Sequence, residues 1–142
     1  MDVLAEALRE LDGLDAKTGW FETARDAKGV PVATKAAANE FGTATIPPRP
    51  FMRPTVAARR VAWMDQLGAG AKAVLEGRAK PADVLETVAV GAAGDVAKTI
   101  RSVTSPPLNK RTLARKGFDK PLVETRQMIQ SVTGVVEKKG GG

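Results

Sequence analysis

Nine consecutive residues near the middle of the chain, Ile46-Pro47-Pro48-Arg49-Pro50-Phe51-Met52-Arg53-Pro54, exclude more architectures than any other segment. Each proline fixes its own φ, removes an amide donor and pushes the residue before it toward extended backbone. With four prolines, the stretch is neither a helix nor an inner strand of a sheet. It reads as a stiff, polyproline-like arm. Pro54 suits the first turn of a helix that follows. The 142-residue chain must therefore build its regular elements on either side of this segment.

Those elements are mostly helical. Leu4, Ala7, Leu8 and Leu11 recur at helical spacing after Asp2, and Gly13 supplies a stop, which predicts a helix over 3–12. Val32 to Phe41 carries the run Ala36-Ala37-Ala38 and ends at Gly42, a second helix. The longest helical pattern covers 55–76. Val56, Trp63, Leu67 and Val74 form its apolar stripe, widened by Val61, Met64, Ala71 and Leu75. Gly68 and Gly70 weaken its middle, so a kink or break is expected there. Pro81 opens another helix with Leu85, Val88, Ala92, Val96, Ile100 and Val103 on one stripe. Its Gly91 and Gly94 permit either close packing or an interruption, and Pro106-Pro107 ends it. A short basic helix over Leu108 to Gly117 and a helical turn around Gln127-Met128-Ile129 complete the set.

Two segments read as strands. Lys17 to Arg25 has aromatic and β-branched content, with Trp20 and Phe21 on opposite faces, and it leads into the turn Asp26-Ala27-Lys28-Gly29. Ser131 to Lys138 alternates as a closing strand. The expected fold is α+β: a small antiparallel sheet with packed helices, one long central helix and an extended Pro-rich arm. It is expected as one domain over 1–139, with a disordered tail at 140–142.

Alanine supplies 23 of the apolar residues, so large side chains for a core are scarce. That favours Ala-lined close contacts between helices and a core finished by neighbouring subunits. The chain has no His and no Cys. Ser-His and Cys-His nucleophile pairs, Cys-bound iron–sulfur clusters, ordinary zinc sites and disulfides are thereby excluded. Gly68-Ala69-Gly70-Ala71-Lys72 lacks the spacing of a phosphate-cradling loop. Glu40 has no partner carboxylate at a recognisable spacing, which points to a capping or salt-bridge role rather than acid–base chemistry. No run approaches the ~20 apolar residues that cross a bilayer. The acidic, amphipathic N-terminus is unlike a basic leader, so a soluble protein made inside the cell is expected.

Charge is unevenly spread. Residues 1–50 carry a net −2 and residues 51–142 a net +8. Lys110, Arg111, Arg115, Lys116 and Lys120 concentrate much of that excess in one short stretch. Such a run is a solvated helix face, a docking patch for an acidic protein surface, or a nucleic-acid contact. Phe118 is its only aromatic, too few for a base-stacking platform. In the Pro-rich arm, Phe51 sits between Arg49 and Arg53. It is either an apolar anchor for a neighbour or part of an internal connector with its ring in the core.

Three segments taken in order carry a resemblance. They are Glu40-Phe41-Gly42-Thr43 with the Pro-rich stretch; the helix after it as far as Trp63; and Ser105-Pro106-Pro107-Leu108, Thr112-Leu113-Ala114-Arg115-Lys116-Gly117, Lys120-Pro121-Leu122-Val123-Glu124-Thr125 and Gln127-Met128. Their order and spacing resembles the neck or tail-completion family of long-tailed bacteriophages, and Gly19-Trp20-Phe21-Glu22 fits the strand such proteins carry earlier. Where that family usually has a threonine-glycine pair, Arg126 here follows Thr125. The resemblance implies a virion protein of the head–tail junction, made in the host bacterial cytoplasm. It would form a homo-oligomeric, six-fold ring between head-completion or connector proteins and tail-terminator or tail-tube proteins. DNA would pass through the channel without sequence-specific binding, and no catalysis, cofactor or membrane is implied. The candidate ring interface is Arg49, Phe51, Arg53, Lys110, Arg111, Arg115 and Lys116. The alternative reading is a basic DNA-binding accessory protein.

Overall fold

The computed structural model describes residues 3–103 and 120–139. In chain order these hold α1 (Val3–Asp12), β1 (Leu14–Gly19), α2 (Val32–Phe41), α3 (Met52–Leu75), α4 (Pro81–Val103), α5 (Lys120–Ser131) and β2 (Thr133–Lys138). The fold class is α+β, with packed helices and one two-stranded antiparallel sheet among the described residues. The chain divides into two compact units, and the division falls inside α3 and α4.

Among the described residues, the first unit holds 3–19, 57–94 and 133–139. Its sheet joins segments remote in sequence, with Leu14 opposite Lys138 and Gly19 opposite Thr133. The amide of Lys139 extends the ladder by donating to the Gly13 carbonyl at 2.9 Å. Two small contacts seat this ribbon on α4. The Thr18 hydroxyl donates to the Ala89 carbonyl at 2.8 Å. Its strand partner Gly134 lies so close to the Ala89 backbone that any side chain there would collide with it.

In the same unit α3 meets α4 at Gly70, where a methyl group would run into the Val84 side chain. Val74, Val88, Ala89, Ala92 and Ala93 are buried. Both helices run unbroken through their glycines, so the expected kink at Gly68 and Gly70 and the interruption at Gly91 and Gly94 do not occur. One expectation is reversed. Of the stripe read as core on α3, only Val74 is buried, Trp63 and Ala71 are half-buried, and Val56, Val61, Met64, Leu67 and Leu75 are exposed. α3 comes close to α4 at Gly70, and Val61, Met64, Leu67 and Leu75 are left exposed.

Among the described residues, the second unit holds 20–56, 95–103 and 120–132. Its core is Val32 and Ala36 of α2, Phe51, Val96 and Ile100 of α4, and Met128 of α5, with Trp20 and Met52 packed against it. The first strand ends one residue before Trp20, earlier than the aromatic content suggested. Trp20 belongs to this core instead. Its ring meets Phe51 edge-on at 5.5 Å, and its indole N–H donates to the Met128 carbonyl at 3.0 Å. The Asp26–Gly29 turn forms as expected, with Gly29 at φ 82° and Asp26 accepting from the amides of Lys28 and Val30 at 2.9 Å each. Elsewhere in the unit, Thr55 donates to Thr99 at 2.6 Å and Thr99 donates on to the Asp95 carbonyl at 3.1 Å, which ties α3 to α4. The basic helix expected over Leu108 to Gly117 lies outside the described residues.

The contrast between tight and open glycines is measurable. Gly134→Ala should lower the unfolding free energy by about 1–3 kcal/mol through overpacking. Gly91→Ala, whose methyl meets open space, should raise it by about 0.5–1 kcal/mol. Urea unfolding curves read both.

Candidate functional site

The site is built where α2 ends and α3 begins. A helix leaves its first amides without intrahelical partners, and the positive end of its dipole favours an anion there. Here the anion comes from another helix. Glu40, in the last turn of α2, turns its carboxylate onto the start of α3. One oxygen accepts from the amides of Phe51 at 2.7 Å and Met52 at 2.9 Å; the other accepts from the Arg53 amide at 3.1 Å and the Arg53 Nε at 2.8 Å. The Arg53 Nη2 donates to the Glu40 carbonyl at 3.0 Å. Glu40 is therefore both the cap and the salt-bridge partner that its isolation in the sequence suggested.

The loop between the helices folds back to make this possible. Gly42 adopts φ 77°, and a Cβ there would stand 2.9 Å from the Pro48 ring. The Thr43 hydroxyl accepts from the amides of Thr45 and Ile46, and the Arg49 amide donates to the Asn39 carbonyl at 2.6 Å. The loop is thus exposed along 43–49 but held at both ends. The last three residues of the segment read as non-helical, Met52 to Pro54, instead open α3, where the free first-turn amides leave room for a proline.

Electrostatics follow from the geometry. Burial alone would raise the Glu40 carboxyl, which is 4% exposed. The Phe51 amide, the Arg53 guanidinium and the amides of Met52 and Arg53 outweigh it and hold the group at about 2. Asp26 is also lowered, chiefly by Lys35 at 2.6 Å and by the Val30 amide. Neither carboxylate holds a proton near neutral pH, so neither is placed to act as a general acid.

Beside the cap, Trp20, Ala33, Ala36, Ala37, Phe41, Phe51 and Met52 line an apolar pocket of about 210 Å³ that opens to the surface. Phe41, 67% exposed, forms one lip. The Arg53 guanidinium lies 5.1 Å from the centre of its ring, close enough for a cation–π contact. The arrangement offers an apolar recess with a cation at its rim, suited to taking up a nonpolar side chain.

The residues expected at an interface divide three ways. Arg53 stands at the rim of this site, and Arg49 is exposed on the loop. Phe51, at 2% exposed, is not a surface anchor, because its ring is enclosed by Trp20, α2 and α4. Lys110, Arg111, Arg115 and Lys116 lie outside the described residues. Phe41 and the alanine wall of α2 were missed by sequence reasoning. The available signal was a large aromatic placed immediately before a helix-ending glycine. Among the described residues, no group of three or more Asp or Glu could hold a metal ion.

Stability against acid should report the cap. The folded-state value of Glu40 lies below its ordinary value of 4.5. Its contribution is therefore complete above about pH 5 and is lost as pH falls toward 2, on the order of 3 kcal/mol in all. Glu40→Gln should flatten that part of the pH–stability profile. Arg53→Ala should cost only about 1 kcal/mol or less, since the guanidinium is largely in water. Phe51→Ala should cost about 3–5 kcal/mol, whereas Arg49→Ala should stay within about 0.5 kcal/mol. Thermal and denaturant melts from pH 2 to 7 measure all four.

No protein-family model, curated protein or solved structure matches the chain.

Proposed function

We propose that the protein is a structural subunit that works by self-association, with no bond made or broken. It would serve as a ring component that completes or joins head and tail around the DNA channel of a long-tailed bacteriophage. The resemblance of the ordered segments around Glu40-Phe41-Gly42 and Pro47–Pro54 suggests this role. The observation that carries it is the open apolar pocket beside Phe41 and Arg53. Exposed apolar surface on a rigidly held element marks a protein contact. The capped start of α3 supplies that rigidity. A neighbour would insert a nonpolar side chain between Phe41 and the alanines of α2, and the Arg53 cation would meet an acidic residue at its edge.

Charge favours one rival. The net +8 on residues 51–142 suits a DNA-binding accessory protein. The two readings separate by experiment. On the structural reading, isolated particles of the parent phage retain the protein in a few ring equivalents. Ala37→Arg, which fills the pocket mouth from an exposed helix position, abolishes that retention and leaves the melting temperature nearly unchanged. Infectious particles that lack the protein altogether overturn the reading. Tight duplex binding that weakens steeply with salt in a gel-shift series transfers it to the DNA-binding alternative.

A further inference from the structure

The exposed side of α3 is not a random scatter of apolar residues. Ala57, Val61, Met64, Gly68, Ala71 and Leu75 follow one another at alternating intervals of four and three, the a/d spacing of a coiled-coil seam. All six belong to the first compact unit. Val61 is 65% exposed, Met64 61% and Leu75 44%. Ala71 is half-buried and the other five are exposed, while α3 meets α4 through Gly70 on another face.

The sizes along the seam carry the inference. If a second copy of α3 is laid antiparallel about a two-fold axis at the level of residue 66, Ala57 faces Leu75 of the copy, Val61 faces Ala71, and Met64 faces Gly68. Every large side chain meets a small one, as interdigitated layers require. Gly68 is the second observation. A glycine inside a helix is costly, and among the described residues nothing beyond its own stretch of helix lies within 4 Å of where its Cβ would stand. Nothing among the described residues calls for it, whereas the Met64 side chain of a copy would. On one flank of the axis Leu67 meets its own counterpart. On the other, Asp65 approaches its counterpart to within about 3 Å along the axis, taking the helical rise of two residues.

We propose that α3 is the interface of a two-fold symmetric pair, in which a second copy of this chain lies antiparallel along the Ala57–Leu75 seam. The pairing rests on the self-association reading only in needing another copy. It concerns a surface distinct from the Phe41 pocket and involves no ring.

The full chain lacks cysteine, so single introduced cysteines give an unambiguous test. Val61→Cys and Ala71→Cys proteins, oxidised separately, should stay uncrosslinked, because like positions lie about 15 Å apart along the axis. Mixed, they should form a disulfide dimer. Sedimentation equilibrium should give a dimer that Gly68→Met weakens about ten- to a hundredfold by setting two methionines face to face. The same change should raise the monomer's melting temperature, since the described residues leave the site open. Met64→Ala combined with Gly68→Met should restore pairing, and Asp65→Asn should tighten it. A protein that stays monomeric at millimolar concentration, crosslinking of either cysteine variant with itself, or unchanged association of Gly68→Met would each overturn the proposal. Loss of the crosslink with retention in phage particles would sink the pairing and leave the ring reading intact. A crosslinked dimer absent from particles would do the reverse.

Discussion

One buried carboxylate organises the second unit. Glu40 is enclosed, and an enclosed charge is tolerated only when its oxygens are fully engaged. Its partners are the Phe51 amide, the first two amides of α3 and the Arg53 side chain. Meeting that demand places the end of α2 against the start of a helix eleven to thirteen residues further on. The loop between them is fixed as a consequence. Proline suits that loop for a plain reason: Pro47, Pro48 and Pro50 bring no amide hydrogens that need acceptors, so the segment can run across the surface without a ladder. Phe51 enters the core beside Trp20, and Phe41 remains outside under the Arg53 guanidinium. The apolar recess is the by-product of that split between one ring inside and one ring out.

The first unit solves a different problem, a shortage of bulky side chains. Its helices and strands approach at residues with little or no side chain. Gly70 meets Val84, Gly134 meets Ala89, and the buried face of α4 continues through Ala92 and Ala93. Close approach lets small groups gain dispersion contacts that larger ones would otherwise supply. It also releases the larger groups of α3, Val61, Met64 and Leu75, to face outward.

Legibility of the sequence followed the strength of its local signals. Gly13, Gly42 and Pro81 mark boundaries by backbone chemistry, and α1, α2 and α4 begin or end where those residues demand. The stripe on α4 was legible because its polar residues keep to one side. The facing of α3 was not, because Arg53, Arg60, Asp65 and Lys72 are distributed around it and size was the only remaining cue. Size misled, since distance between helices rather than bulk decided which face was covered. Trp20 misled similarly: aromatic residues favour strands, but this one hydrogen-bonds across to α5 instead. At the site, the isolation of Glu40 revealed the kind of role it plays. Its partners depended on a loop path that no spacing encodes, and so did the choice between core and surface for Phe51.

The two-stranded sheet has a consequence for biogenesis. Lys17 and Glu137, joined across the ribbon, are 120 positions apart. At elongation rates of about 5–20 residues per second, roughly 6–24 s separate the emergence of β1 from that of its mate on the ribosome. Throughout that interval β1 presents an unmated edge, the kind of template on which stray strands assemble. The polar run Asp15-Ala16-Lys17-Thr18 makes it a poor template, and the nascent chain can wait for its far end without recruiting a neighbour's.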